Sequence, residues 1–195
     1  MSVRKQIAFP DGVYFITFTC AGWLPLFEIT NGYHEVYKWF DYLKQQGHYI
    51  AGYVIMPNHV HAVIAFGNTG KTINSIVGNG KRFMAYELVK LLKEKSRTDI
   101  LVQLEQWVND TDKRRAKKHE VFESSFDSKE CRTIEFIQQK LNYIHQNPCR
   151  NEKIWAKLPE DYVHSSARYY YTSEQGIYPV TSYMELQDID LATRR

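Results

Sequence analysis

The chain has 195 residues, of which 44% are hydrophobic and 24% charged, enough to bury a real core and ordinary for a soluble globular protein. A net charge of +3 excludes a broadly basic nucleic-acid binder, so any affinity for DNA has to come from local patches. Three cysteines at no disulfide or metal spacing (Cys20, Cys131, Cys149), no signal peptide and no apolar run of membrane-span length together lead to the expectation of a cytoplasmic protein without membrane contact.

Asp11-Gly12 turns the chain into a predicted strand from Val13 to Cys20, rich in β-branched and aromatic residues. Tyr33, Val36, Tyr37, Phe40 and Leu43 recur at helical spacing after Asn31-Gly32, and Gly47 is the natural stop. Segments His48 to Met56 and His59 to Phe66 read as an antiparallel pair joined at Pro57-Asn58. From Thr72, a possible cap, to about Lys95 the apolar residues again fall at helical intervals, with Gly78 and Gly80 predicting an irregular start. Residues 96–119 are polar apart from a stretch around Ile100 to Leu104. A weak last strand is expected at Val121 to Phe126, then a strong helix from Arg132 to Gln146, ended by Asn147-Pro148. The order strand, helix, strand, strand, helix, strand predicts an α+β fold: a ferredoxin-like split-βαβ antiparallel sheet with helices on one face and an appended C-terminal helix. One domain is expected over 1–195, with a core of about 10–150 and a C-terminal extension over 151–195.

The chemistry concentrates in two short runs. In an extended strand residues i and i+2 share a face, so His59 and His61 can converge on one ion while Val60 points to a core. On a helix residues i and i+4 share a face, so Tyr143 and Asn147 lie together. If that helix packs on the face carrying the histidines, two imidazoles and an amide surround a metal beside a phenol. A metal can neutralise phosphate oxygens, and a tyrosine can attack phosphorus and form a covalent link. Each run has a plainer reading. Two histidines flanking a strand valine can be polar residues of a solvated face, and a lone tyrosine can be the rim of an amphipathic helix. His145, two residues from Tyr143, lies on another helix face and is not taken as the base. His34, His48, His119 and His164 are read as structural.

Met56-Pro57-Asn58-His59-Val60-His61 and Tyr143-Ile144-His145-Gln146-Asn147-Pro148-Cys149-Arg150 resemble the two signature blocks of the single-tyrosine transposases of the HUH superfamily, most closely the REP-associated tyrosine transposases. Tyr14-Phe15-Ile16-Thr17-Phe18-Thr19, the run from Ile76 to Phe83, and Leu158 to Tyr162 with Ser165-Ser166 resemble further family segments in the same order. The resemblance implies that His59, His61 and Asn147 hold a divalent metal, Mg²⁺ or Mn²⁺, and that Tyr143 attacks the scissile phosphate. It implies a 5′-phosphotyrosyl enzyme and a free 3′-hydroxyl on single-stranded DNA next to a hairpin, in a monomer or a homodimer. Where many relatives carry Trp-Gln, this chain has Val121-Phe122-Glu123, which bears on sequence preference. Imidazole ligands suit Mn²⁺ better than Mg²⁺.

Basic residues supply candidate DNA contacts: Lys81 and Arg82 at the middle helix, Lys71 before it, Arg114 and Arg115 in the run 112–119, and Arg150. The closing Arg194-Arg195 is expected to fray. Two alternatives stay open. One is a domesticated protein that binds structured DNA without moving it. The other is a nucleotide binder, because residues 65–72 (Ala-Phe-Gly-Asn-Thr-Gly-Lys-Thr) have nearly the spacing of a phosphate-binding loop.

Overall fold

The computed structural model describes residues 7, 9–150 and 154–193; Arg194 and Arg195 lie outside them. Four strands, β1 (Gly12–Thr19), β2 (Tyr49–Met56), β3 (His59–Phe66) and β4 (Asp127–Glu130), form one antiparallel sheet in the order β2-β3-β1-β4. The helices are α1 (Leu26–Thr30), α2 (Tyr33–Gln45), α3 (Ile73–Glu94), α4 (Thr98–Gln106), α5 (Asp110–Arg114), α6 (Ile134–Arg150) and α7 (Ala167–Thr172). The expected α+β sheet is present, with β1 and β3 central.

Period-two alternation sorts the side chains of the central strands into two layers. Tyr14, Ile16 and Phe18 of β1 with Val60, Ala62, Ile64 and Phe66 of β3 pack against α2 and α3. Phe15, Val63 and Ala65 face the other way, against Ile137, Leu141 and Ile144 of α6. The sheet is therefore covered on both faces, which is why every residue of β3 is buried. Two glycines permit the close approaches. A Cβ on Gly80 would stand 2.2 Å from the Trp39 indole nitrogen, and one on Gly52 would stand 2.3 Å from Leu141. Gly80 lets α2 and α3 pack closely on each other, and Gly52 lets α6 approach the sheet.

Three expectations are corrected. The last strand is Asp127–Glu130, pairing with Tyr14 to Thr17, and not Val121 to Phe126. Val121 and Phe122 are buried instead, Phe122 against Phe18 and Phe27, with one isolated bridge to Cys20. The apolar pair serves the core, while the edge strand is charged, as exposed sheet edges commonly are. Helix α3 runs unbroken through Gly78 and Gly80, and Thr72 caps it by accepting from the Ser75 amide. Helix α6 continues through Pro148 to Arg150. Pro148 cannot donate to the Ile144 carbonyl, a tolerable loss two residues from the end of the helix.

The C-terminal extension closes the other edge. The Ile55 amide donates to the His164 carbonyl, Ser166 to Tyr53 and Thr181 to Ile50, each along β2. His145 of α6 hydrogen-bonds Ser166 at 2.9 Å, so the extension also ties α6 to that edge.

Candidate active site

His59 and His61 stand at the start of β3, side chains on the α6 face, 8% and 6% exposed. Their ring centroids are 4.6 Å apart. The Tyr143 ring lies 5.4 Å from His61 and 6.0 Å from Phe15, and Tyr143 itself is 46% exposed. Asn147, one turn further along α6, stands beside the His59 imidazole and acts on its protonation. Two pairs of residues more than 80 positions apart, His59 with His61 and Tyr143 with Asn147, thus meet in one place within one chain. The packing that brings them there is local and apolar: Ile137, Leu141 and Ile144 seat α6 on the sheet and leave Tyr143 and Asn147 on the flank facing the histidines.

Hydrogen bonds hold each imidazole from behind. His59 Nδ1 lies 2.7 Å from Asn58 Oδ1, and the Asn58 amide nitrogen donates to the Trp23 carbonyl, which fixes the amide with its oxygen toward the ring. The ring therefore carries its proton on Nδ1 and its lone pair on Nε2. His61 Nδ1 lies 2.6 Å from Thr17 Oγ1, its cross-strand partner in the ladder. Partners of this kind orient metal-binding histidines and set their tautomer. Burial pushes the His59 imidazole down to about 4, partly countered by Asn147. Burial, followed by the charges of His59 and Lys140, pushes His61 down to about 3. Both rings are neutral at physiological pH, the form a metal ligand requires. Among the described residues no three His, Cys, Asp or Glu side chains come together, so the donor set is two imidazoles and one carboxamide. That set fits a divalent ion with positions left for other oxygens.

Two residues at the site were not singled out from sequence. Lys140, one turn before Tyr143, places its ammonium 5.1 Å over the Phe15 ring and 6.0 Å over the Tyr143 ring. The i, i+3 spacing to Tyr143 was the available signal. Thr17 was visible only through the strand register.

The predicted DNA contacts divide. Lys81 is corrected: it is 8% exposed, and its ammonium donates to the carbonyls of Glu123 and Ser125 at 2.7 and 2.9 Å. It fastens the segment before β4. Arg82 is exposed, with its guanidinium 5.1 Å over Phe83. Lys71, Arg114, Arg115 and Arg150 are exposed, Arg114 and Arg115 at the end of the α4–α5 excursion whose Ile100 and Leu104 join the α3 layer. The loop over 65–72 forms no phosphate cradle. The Gly67 amide donates to His48, Asn68 to the Leu191 carbonyl and Gly70 to the Asn68 side chain. Three of its N–H groups are used within the fold, where a phosphate-binding loop would present them outward. No helix among the described residues is long and apolar enough to cross a membrane.

No protein-family model matches the chain, and no curated protein matches it. Among solved structures, a REP-associated tyrosine transposase bound to a REP hairpin is similar over all of this chain and 99% of its own, with a TM-score of 0.62 and 16% identity. A candidate transposase from Deinococcus radiodurans R1 aligns over 75% of this chain and 97% of its own, at 14% identity and a TM-score of 0.41. At such identities the first likeness speaks for the fold alone: the chain shares the architecture of that structure over its whole length.

Proposed function

We propose that the protein nicks single-stranded DNA beside a hairpin and transfers the strand through a 5′-phosphotyrosine on Tyr143. The observation carrying this reading is the ring row His59, His61, Tyr143, spaced 4.6 and 5.4 Å, with Asn147 at His59. A divalent ion, Mg²⁺ or Mn²⁺, held by His59, His61 and Asn147, would neutralise charge on the non-bridging oxygens of the scissile phosphate.

The chain's own residues supply the rest. Tyr143 is exposed enough to meet a strand lying across the site, and Phe15 beneath it limits how far the ring can retreat. Its Oη bonds to phosphorus as the bond to the 3′-oxygen breaks. The phenolic proton passes to water, and the departing oxygen takes one up as a 3′-hydroxyl. Lys140 puts positive charge beside the phenol and the incoming phosphate. The phosphotyrosine keeps the energy of the phosphodiester, so a 3′-hydroxyl can later displace Tyr143, which is transfer and not hydrolysis. A hairpin as the recognised element is supported by the transposase of shared fold, itself solved bound to one. Arg82 with Phe83, Lys71, Arg114, Arg115 and Arg150 remain the exposed groups for backbone contact.

The test is a panel of hairpins with single-stranded flanks, labelled at either end and incubated with Mn²⁺. The expected result is a protease-sensitive band carrying the 3′-side label on denaturing gels, lost in Tyr143→Phe while native-gel binding persists. Binding by the wild type with no covalent band would instead favour a protein that holds structured DNA without cutting it.

A further inference from the structure

The ring row has a fourth member, on the side away from the tyrosine. Trp23 is 63% exposed, and its ring centroid lies 5.9 Å from that of His59, nearly edge-on at 69°. The order along the site is therefore Trp23, His59, His61, Tyr143.

Burying an indole favours folding, so a tryptophan left in water forgoes that gain. The backbone beneath it is also fixed in an unfavourable form: Gly22 and Trp23 both have left-handed φ, 56° and 58°, a conformation costly for a residue as bulky as tryptophan. The surroundings enforce it. Ala21 donates to the Val121 carbonyl, and Gly22 to the Glu123 carboxylate at 3.0 Å. The Trp107 ring lies against Gly22 so closely that a Cβ there would stand 2.4 Å away. The Trp23 carbonyl receives the amide of Asn58, which in turn holds His59. The backbone that carries the exposed indole is thus tied to the hydrogen bonds that orient the first histidine.

We infer that Trp23 is the stacking platform for the nucleobase on the 5′ side of the scissile phosphate. The assignment rests on the nicking reading above. Displacement at phosphorus runs in line, so the departing 3′-oxygen lies opposite the attacking phenol. With Tyr143 at one end of the row, the nucleotide that keeps the 3′-hydroxyl leaves toward the other end, where Trp23 stands. Stacking on one rigid aromatic is tolerant of base identity, since every base offers a π-face. The platform therefore positions the strand without reading its sequence. It also retains the freed 3′-hydroxyl close to the phosphotyrosine, which rejoining requires and simple hydrolysis would not.

The test uses the hairpin of the panel that is bound most tightly, with a single abasic site walked through its flank. Equilibrium binding is followed by fluorescence anisotropy of an end label, in Tyr143→Phe protein so that no cleavage intervenes. One abasic position should weaken binding roughly tenfold or more. That penalty should disappear when Trp23→Ala is added and largely remain with Trp23→Phe. The position should be the nucleotide immediately 5′ of the nick mapped with wild-type enzyme. In the otherwise wild-type protein, Trp23→Ala should also release the 3′-hydroxyl strand faster and lower rejoining more than first-strand attachment. An abasic profile identical with and without Trp23, or a Trp23-dependent position on the 3′ side of the nick, would overturn the assignment. Failure of the nicking reading has a different signature, absence of the covalent band in wild type, and the abasic walk would still report whether Trp23 stacks on a base.

Discussion

On β3 the side chains of Val60, Ala62, Ile64 and Phe66 face α2 and α3, whereas His59, His61, Val63 and Ala65 face α6. The first face is apolar from end to end. The second changes character halfway: Val63 and Ala65 pack under α6, and the two imidazoles follow with Thr17 beside them. Buried polar groups cost free energy unless they are hydrogen-bonded, and here each ring has a partner on Nδ1. The same strands thus divide the labour. One face holds the fold together, and half of the other gives up apolar packing for a pair of imidazoles beside an exposed phenol.

Substitutions on the two faces should separate chemistry from stability. The largest effect is expected at the polar half-face. His61→Ala should abolish formation of the covalent band at saturating Mn²⁺ and remove the metal-induced rise in melting temperature, while the protein stays folded by circular dichroism. On the apolar face, Phe18 is fully buried against Trp39 and Phe122. Phe18→Ala should cost about 3–5 kcal/mol in urea denaturation, with metal affinity of the folded fraction unchanged. A change in metal affinity of similar size to the loss of stability would mean that the faces are not independent.

Smaller effects sharpen the division. Thr17→Val keeps the shape of the side chain and removes the hydroxyl at His61 Nδ1. It should weaken Mn²⁺ binding by roughly 10–100-fold, read by titration calorimetry, with little change in urea midpoint. The pH dependence of stability should come from both faces. Burial lowers His48, His59 and His164 to about 4, and His61 and His145 to about 3, from an ordinary value of 6.5. The unfolded chain binds more protons than the folded one between those values. Stability should be full above about pH 6.5 and fall as pH drops toward 4 and then 3, seen as a declining urea midpoint. A midpoint independent of pH between 7 and 4 would contradict buried neutral imidazoles. The smallest difference expected is between metals, with Mn²⁺ supporting faster nicking than Mg²⁺ because imidazole ligands favour it.

Much of this arrangement is legible in the sequence because it depends on periodicity. The i, i+2 spacing put His59 and His61 on one face with Val60 on the other, and the i, i+4 spacing of Tyr143 and Asn147 survives because α6 is regular across both. Elements without such a pattern were illegible. Asp127–Glu130 has no apolar residue to mark it as a strand; its pairing follows from the exposed edge of β1 and from Lys81 holding the carbonyls just before it. Lys81 itself looked like a surface cation, and only the tertiary structure supplies the two carbonyls that draw it inward. Gly78 and Gly80 looked like breaks, whereas Gly80 is needed for the approach of Trp39 to α3. Trp23 left no mark, since its role depends on where a left-handed turn points an indole.

Tyr143 alone is expected to form the link to DNA. The chain has 14 tyrosines, so the most direct measurement is to digest the covalent complex and locate the nucleotide-bearing tyrosine by peptide mass spectrometry. The account predicts a 5′-phosphonucleotide on the peptide containing Tyr143 and on no other. A phosphonucleotide on a different tyrosine, or cleaved strands with no peptide adduct at all, would contradict it.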